Sequence, residues 1–158
     1  MSKVTFASPE DAAQLGKLFH DDMANQGIDR PLKELIKMAQ VAIKITLSPD
    51  PKTIIWVIRE KKSVVGVLLV NMAMSLKFAG KSIWIEELYV PPESRRKGYG
   101  KALINHLLDF AESDHTICGI DLEAYQGNTP ASILYRSLGF KRLGRERFYY
   151  FLGESDYL

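Results

Sequence analysis

The stretch Arg95-Arg96-Lys97-Gly98-Tyr99-Gly100 joins the apolar run Ile83-Trp84-Ile85-Glu86-Glu87-Leu88-Tyr89-Val90 to a helical pattern that begins near Lys101. Strand, glycine turn and helix in that order read as a phosphate cradle. Gly98 and Gly100 let the backbone turn sharply and expose its N–H groups, and the following helix aims the positive end of its dipole at the same place. Arg95, Arg96, Lys97 and Lys101 would repel one another around an empty loop and would be stabilised by a multiply charged anion such as a pyrophosphate.

Working outward, 116–124 reads as a further strand, and the intervening Ala102, Leu103, Ile104, Leu107, Leu108 and Ala111 lie on one helical face. Strand, helix and strand in this order imply a parallel pair. Upstream, 53–60 and 63–76 are strand-like runs separated by Lys61-Lys62, which predicts an antiparallel hairpin. Val4 opens a short strand at 4–7. Ser8-Pro9-Glu10-Asp11 then starts a helix with buried face Leu15, Leu18, Phe19 and Met23, and a second helix runs from Pro31 to before Ser48. Downstream, Gln126 to Pro130 forms a loop and helix start, Gly139 stands where a C-terminal cap belongs, and 140–143 with 146–152 predict a final hairpin around Gly144.

The 158 residues, 46% of them hydrophobic, suit one domain spanning 1–158. A net charge of +2, from 21 basic and 19 acidic side chains, gives no support to a nucleic-acid or membrane-surface role. No apolar leader follows Met1 and no run is long enough to span a bilayer, so the expected location is cytoplasmic. Cys118 alone cannot form an internal disulfide or a multi-cysteine zinc site, and His20, His106 and His115 lack ligand spacing, so no metal is expected. Cys118 itself reads as a packed, inert thiol within an apolar strand.

Neither standard nucleotide motif fits the basic turn. No Gly-Lys-Ser/Thr closes a P-loop, and Leu103 occupies the place of the third dinucleotide-fold glycine. In order, however, the chain holds Glu86-Glu87-Leu88-Tyr89-Val90, Arg95-x-x-Gly98-x-Gly100, and Asn128-x-x-Ala131-x-x-x-Tyr135-x-x-x-Gly139-Phe140. This set resembles the GNAT superfamily of acyl-CoA-dependent N-acyltransferases, over nearly the whole chain. The Glu86-Glu87 pair and the region of Tyr135 are most similar to the polyamine and small-amine acetyltransferases.

The resemblance implies an α/β (α+β) fold: a mixed, mostly antiparallel sheet with parallel, splayed fourth and fifth strands and helices on both faces. It implies acetyl-CoA as co-substrate, with the pantetheine against backbone groups of Leu88, Tyr89 and Val90 and the pyrophosphate on the N–H groups of Arg96, Lys97, Gly98, Tyr99 and Gly100. Arg95, Arg96, Lys97 and Lys101 would hold phosphate oxygens, and Asn128 would cap its helix or meet the pantetheine.

The reaction so implied needs a base, because an alkylamine with a pKa of about 10.4 is protonated at neutral pH. Glu86 is favoured, acting through a water, and Glu87 is second; strand alternation predicts that they face opposite ways. Leu88 N–H would stabilise the oxyanion, and Tyr135 would protonate the leaving thiolate. Transfer to a primary amine on a small molecule or peptide would then be direct, in a ternary complex. Asp21 and Asp22 read as solvated helix charge able to attract a cationic acceptor. The alternative is a non-catalytic CoA-binding sensor or partner-binding module, since a fold alone does not prove turnover. The apolar run Phe148-Tyr149-Tyr150-Phe151 suggests a homodimer.

Overall fold

A computed structural model describes residues 3–124 and 129–156, which fall into two compact units, Met1–Leu122 and Glu123–Leu158. The first contains β1 (Val4–Phe6), a 3-10 turn (Pro9–Asp11), α1 (Ala12–Asn25), α2 (Leu32–Thr46), β2 (Thr53–Glu60), β3 (Ser63–Ser75), β4 (Gly80–Tyr89), a second 3-10 turn (Pro92–Ser94), α3 (Tyr99–Glu112) and β5 (Ile117–Leu122). The strands form one sheet in the order β1-β2-β3-β4-β5, antiparallel throughout except for the parallel β4–β5 pair. The mixed sheet and its parallel pair match the sequence reading.

Alternation along β2 divides its side chains between two helical layers. Ile55 and Val57 join Leu15, Leu18 and Phe19 of α1, Ala39 and Ile43 of α2, and Val67 and Tyr89 in one core. On the other face, Trp56 meets the rings of His106 and Phe110 of α3 edge-on, with centroids 5.6 and 5.2 Å away. Leu103, Ile104 and Leu107 of α3 are fully buried. His106 is thus a packing residue.

Polar anchors fix the helices to the strands. Ser8 N–H and hydroxyl both donate to Asp11 Oδ2, at 2.8 and 3.1 Å, and the buried Asp11 also receives Arg59, whose other nitrogen reaches Thr5 Oγ1 at 2.8 Å. The Thr46 hydroxyl donates to Ala42 C=O at 2.8 Å and accepts Ile55 N–H at 3.0 Å, tying the end of α2 to β2. Gly16 is required where α1 crosses α2: a Cβ there would lie 2.4 Å from Ile36 Cγ1 and 2.8 Å from Ile36 backbone. The β2–β3 hairpin turns at Lys61 and Lys62 as expected, with Lys61 at φ 57°.

In the second unit, α4 (Thr129–Ser137) ends in a Schellman cap. Phe140 N–H reaches Tyr135 C=O at 3.0 Å, Gly139 N–H reaches Arg136 C=O at 3.1 Å, and Gly139 sits at φ 95°. The cap predicted at Gly139 is therefore present. The hairpin predicted over 140–152 is not: residues 140–156 hold no strand. Phe148, Tyr149, Tyr150 and Phe151 are all exposed, so neither alternating set has a buried face to hold a strand in register.

Candidate active site

Parallel pairing of β4 with β5 covers Lys81 to Ile85 and ends at Ile85 opposite Leu122. β4 continues through Glu86, Glu87, Leu88 and Tyr89, still paired with β3. Beyond Ile85 the β5 side of β4 therefore has no strand partner among the described residues. An extended ligand can pair with such an edge through main-chain hydrogen bonds.

The same point carries a β-bulge. Val70 pairs with Ile85 but Leu69 pairs with Glu87, leaving Glu86 as an extra residue. Ile83 and Ile85 consequently share the α3 face with Val70, whereas Glu87 and Tyr89 share the α1/α2 face with Leu69 and Val67. Glu86 lies on that face too, because its Oε2 accepts Trp84 Nε1–H at 3.1 Å, and Trp84 pairs with Asn71 on the α1/α2 side. The expectation that Glu86 and Glu87 face opposite ways is thus overturned: simple alternation fails where one strand holds an unpaired residue.

The two carboxylates have unlike surroundings. Glu86 is exposed, whereas Glu87 is 8% exposed and hydrogen-bonds the Asp22 side chain of α1. Burial, the contact with Asp22, its charge and that of Glu86 push the Glu87 carboxyl up to about 9, against a weaker opposing bond from Leu88 N–H. Asp22 is itself held by Gln26 Nε2 at 3.1 Å. Burial and the charge of Asp22 also raise the Tyr89 phenol, opposed by Arg95 and reinforced by Asp21 and Glu93. Such perturbed groups beside an open strand edge mark a candidate proton-transfer site.

Below β4, the chain folds into the cradle. Arg95 is extended, Arg96 takes φ 64°, and Gly98 takes φ 79° as the N-cap of α3. A left-handed arginine costs about 1–2 kcal/mol, and such strain gathers at ligand clamps. Among the described residues, the backbone N–H groups of Arg96, Lys97, Gly98, Tyr99, Gly100 and Lys101 have no acceptor. Three belong to the first turn of α3, where no intrahelical acceptor exists. These donors, with Arg96 and Lys101 exposed and lacking an ion pair among the described residues, fit a diphosphate.

The other cations are engaged. Arg95 Nε donates to Val90 C=O at 2.9 Å, and its guanidinium lies 5.9 Å from the Tyr89 ring centre. Lys97 Nζ lies 3.1 Å from Glu60 Oε1, which also accepts the hydroxyl of the buried Tyr99.

Tyr135 lies on α4, where its ring meets Phe140 edge-on at 5.9 Å. Asn128 falls outside the described residues. Cys118 corrects the sequence reading: it is exposed. Ile117 pairs with Lys81 and Gly119 with Ser82, so Cys118 is the skipped residue of a bulge in edge strand β5. With His115, Thr116, Met74, Ala79, Gly80 and Lys81 it lines an open groove at the start of β4, the opposite end from the cradle. Among the described residues, no cluster of three or more His, Cys, Asp or Glu is arranged to hold a metal, and no helix is long and apolar enough to cross a membrane.

A family model for the acetyltransferase (GNAT) family matches residues 15–140. This chain belongs to the GNAT acetyltransferase family. GNAT enzymes draw their acetyl group from acetyl-CoA, the diphosphate-bearing co-substrate that the cradle fits. The N-alpha-acetyltransferase RimI of Mycobacterium tuberculosis is 36% identical over 72 residues, covering 46% of this chain and 43% of that protein. The ribosomal protein bS18 alanine N-acetyltransferase of Escherichia coli is 39% identical over 61 residues, covering 39% of this chain and 40% of that protein. The curated relatives align over 20% to 43% of their own length. Among solved structures, a possible acetyltransferase of Clostridium difficile 630 shares the fold at TM-score 0.81, with 21% identity over 98% of this chain and 99% of that one.

Two residues of this GNAT chain go beyond the site inferred from sequence. Asp22 reads as solvated helix charge until α1 is docked on Glu87, and Glu60 is an ordinary strand-end acid until the hairpin brings it to Lys97 and Tyr99. No local spacing signals either meeting, since they link positions 65 and 39 residues apart.

Proposed function

We propose that this chain is an N-acetyltransferase that moves an acetyl group from acetyl-CoA to a primary amine by direct attack. The observation that carries the reading is the run of N–H groups at 96–101 that have no acceptor among the described residues, set just past the end of the β4–β5 pairing. Arg96, Lys101 and those N–H groups would hold the diphosphate. The free edge at Leu88, Tyr89 and Val90 would take the pantetheine, leaving a thioester carbonyl near Leu88 N–H, which would give up its bond to the Glu87 carboxyl and stabilise negative charge on the thioester oxygen.

Glu87 is the preferred base. Burial and Asp22 raise its carboxyl to about 9, so it binds a proton strongly but serves as a base only in the fraction of chains in which it is ionised, a fraction that grows with pH, and the exposed Glu86 adds negative charge on the same face for an ammonium. The family resemblance assigns the acid to Tyr135 and pantetheine contact to Asn128. Acetyl transfer onto an α-amine, whose pKa of about 8 makes the neutral form accessible, is supported by the names of the mycobacterial and E. coli relatives. The peptide amino terminus is therefore the first acceptor class to try, ahead of polyamines.

Calorimetric titration with acetyl-CoA, followed by thiol release on adding a panel of amino-terminal peptides and polyamines, tests the reading. Binding with peptide-dependent thiol release is expected. Binding without release from any amine would favour a CoA sensor, and absence of binding would overturn the cradle assignment.

A further inference from the structure

Glu60, at the end of β2, meets the cradle through one oxygen: Oε1 accepts Lys97 Nζ at 3.1 Å and the Tyr99 hydroxyl. The two donors differ in freedom. Tyr99 is 9% exposed, with its ring packed at the start of α3, whereas the Lys97 side chain is 49% exposed on a flexible stem. Tyr99 therefore fixes the carboxylate in place while Lys97 remains able to swing away. Of the four cations around the turn, Arg95 is spent on Val90 C=O, Arg96 and Lys101 have no ion pair among the described residues, and Lys97 is neutralised by Glu60.

A phosphate on the 96–101 N–H groups would bring negative charge beside that fixed carboxylate. Lys97 is placed to exchange Glu60 for phosphate oxygen, and the half-exposed ion pair is weak enough for the exchange to be reversible. Resting on the donor-site reading above, we propose that Glu60 is a positioning residue that holds Lys97 as its counter-ion and weakens the grip of the cradle on CoA. It trades donor affinity for release of the CoA product while its bond to Tyr99 keeps the turn in shape. A purely structural Glu60 would only support α3, and its loss could not tighten binding.

Calorimetry with CoA on the wild type, Glu60→Gln, Lys97→Ala and the double variant separates these roles. Gln keeps an acceptor for Tyr99 but no charge for Lys97. Glu60→Gln is expected to lower the CoA Kd by about three- to tenfold and to steepen its dependence on ionic strength, because one more cation then faces the phosphates. In the Lys97→Ala background the same change should shift Kd by less than about twofold, the coupling expected of residues in contact. Unchanged or weaker binding by Glu60→Gln, or an equal gain without Lys97, overturns the proposal while leaving the donor site standing. A wild-type chain that does not bind CoA overturns both.

Discussion

Asp22 of α1 and Glu87 of β4 meet as two hydrogen-bonded carboxyls, an arrangement that requires a proton between them. With Glu87 raised from 4.5 to about 9, the folded chain binds a proton that the unfolded chain releases across that interval. The associated stability is fully present below 4.5 and is lost as pH rises through 9. Glu87→Gln should flatten this decline, giving a Tm at pH 9 above wild type by about 3 °C or more, read by circular dichroism melts between pH 5 and 9.

Asp22→Asn removes both the charge and the proton-sharing partner that raise Glu87, so the Glu87 carboxyl should ionise at lower pH. If Glu87 is the base, the rising limb of kcat/KM against pH moves to lower pH in this variant, while the Kd for acetyl-CoA stays within about twofold because Asp22 is not part of the cradle. A limb that does not move would remove Glu87 from the proton path.

Gly98→Ala isolates the backbone contribution of the cradle. A Cβ at Gly98 would meet nothing within 4 Å, so its cost comes from φ 79° alone. That strain is about 1–2 kcal/mol. Relief of the strain would turn N–H groups away from the anion, and acetyl-CoA binding is expected to weaken about tenfold by calorimetry, with a Tm drop of about 2–8 °C.

Gly16→Ala tests the α1–α2 crossing. The added methyl would overlap Ile36, including its backbone, and overpacking of this kind costs about 1–3 kcal/mol. A Tm drop of roughly 3–10 °C is expected, and the pH limb assigned to Glu87 should also shift, since α1 carries Asp22.

Cys118 should react with a thiol reagent in the native state, giving one fast-labelled thiol per chain by mass spectrometry. Cys118→Ser should leave acetyl transfer intact, as direct transfer needs no acyl-cysteine.

The elements legible in the sequence are those that local spacing dictates. Gly98 and Gly100 after an apolar run announce the turn, Lys61-Lys62 the hairpin, and Gly139 the cap of α4. What escaped depends on partners distant in sequence. The Glu86 bulge exists only in the register of β4 against β3, so alternation misassigned the faces of the two glutamates. Cys118 is lifted out by a similar slip against β4, and Glu60 reaches Tyr99 only because the hairpin and α3 pack together. The predicted hairpin at 140–152 failed for the converse reason: a β-prone run without a buried face has nothing to set its register.

The extra residue in β4 acts as a parity change within a single strand. Upstream of Glu86, the inward isoleucines serve the α3 layer; downstream, the same reading frame hands Glu87 and Tyr89 to α1 and α2. Erasing the bulge while keeping every residue would pair Glu86 with Leu69 and Glu87 with Leu68, carrying the acid into the α3 layer. Chemistry at this site is therefore tied to the one unpaired residue of β4 and the register it sets, a constraint that substitution at any single position would not reveal.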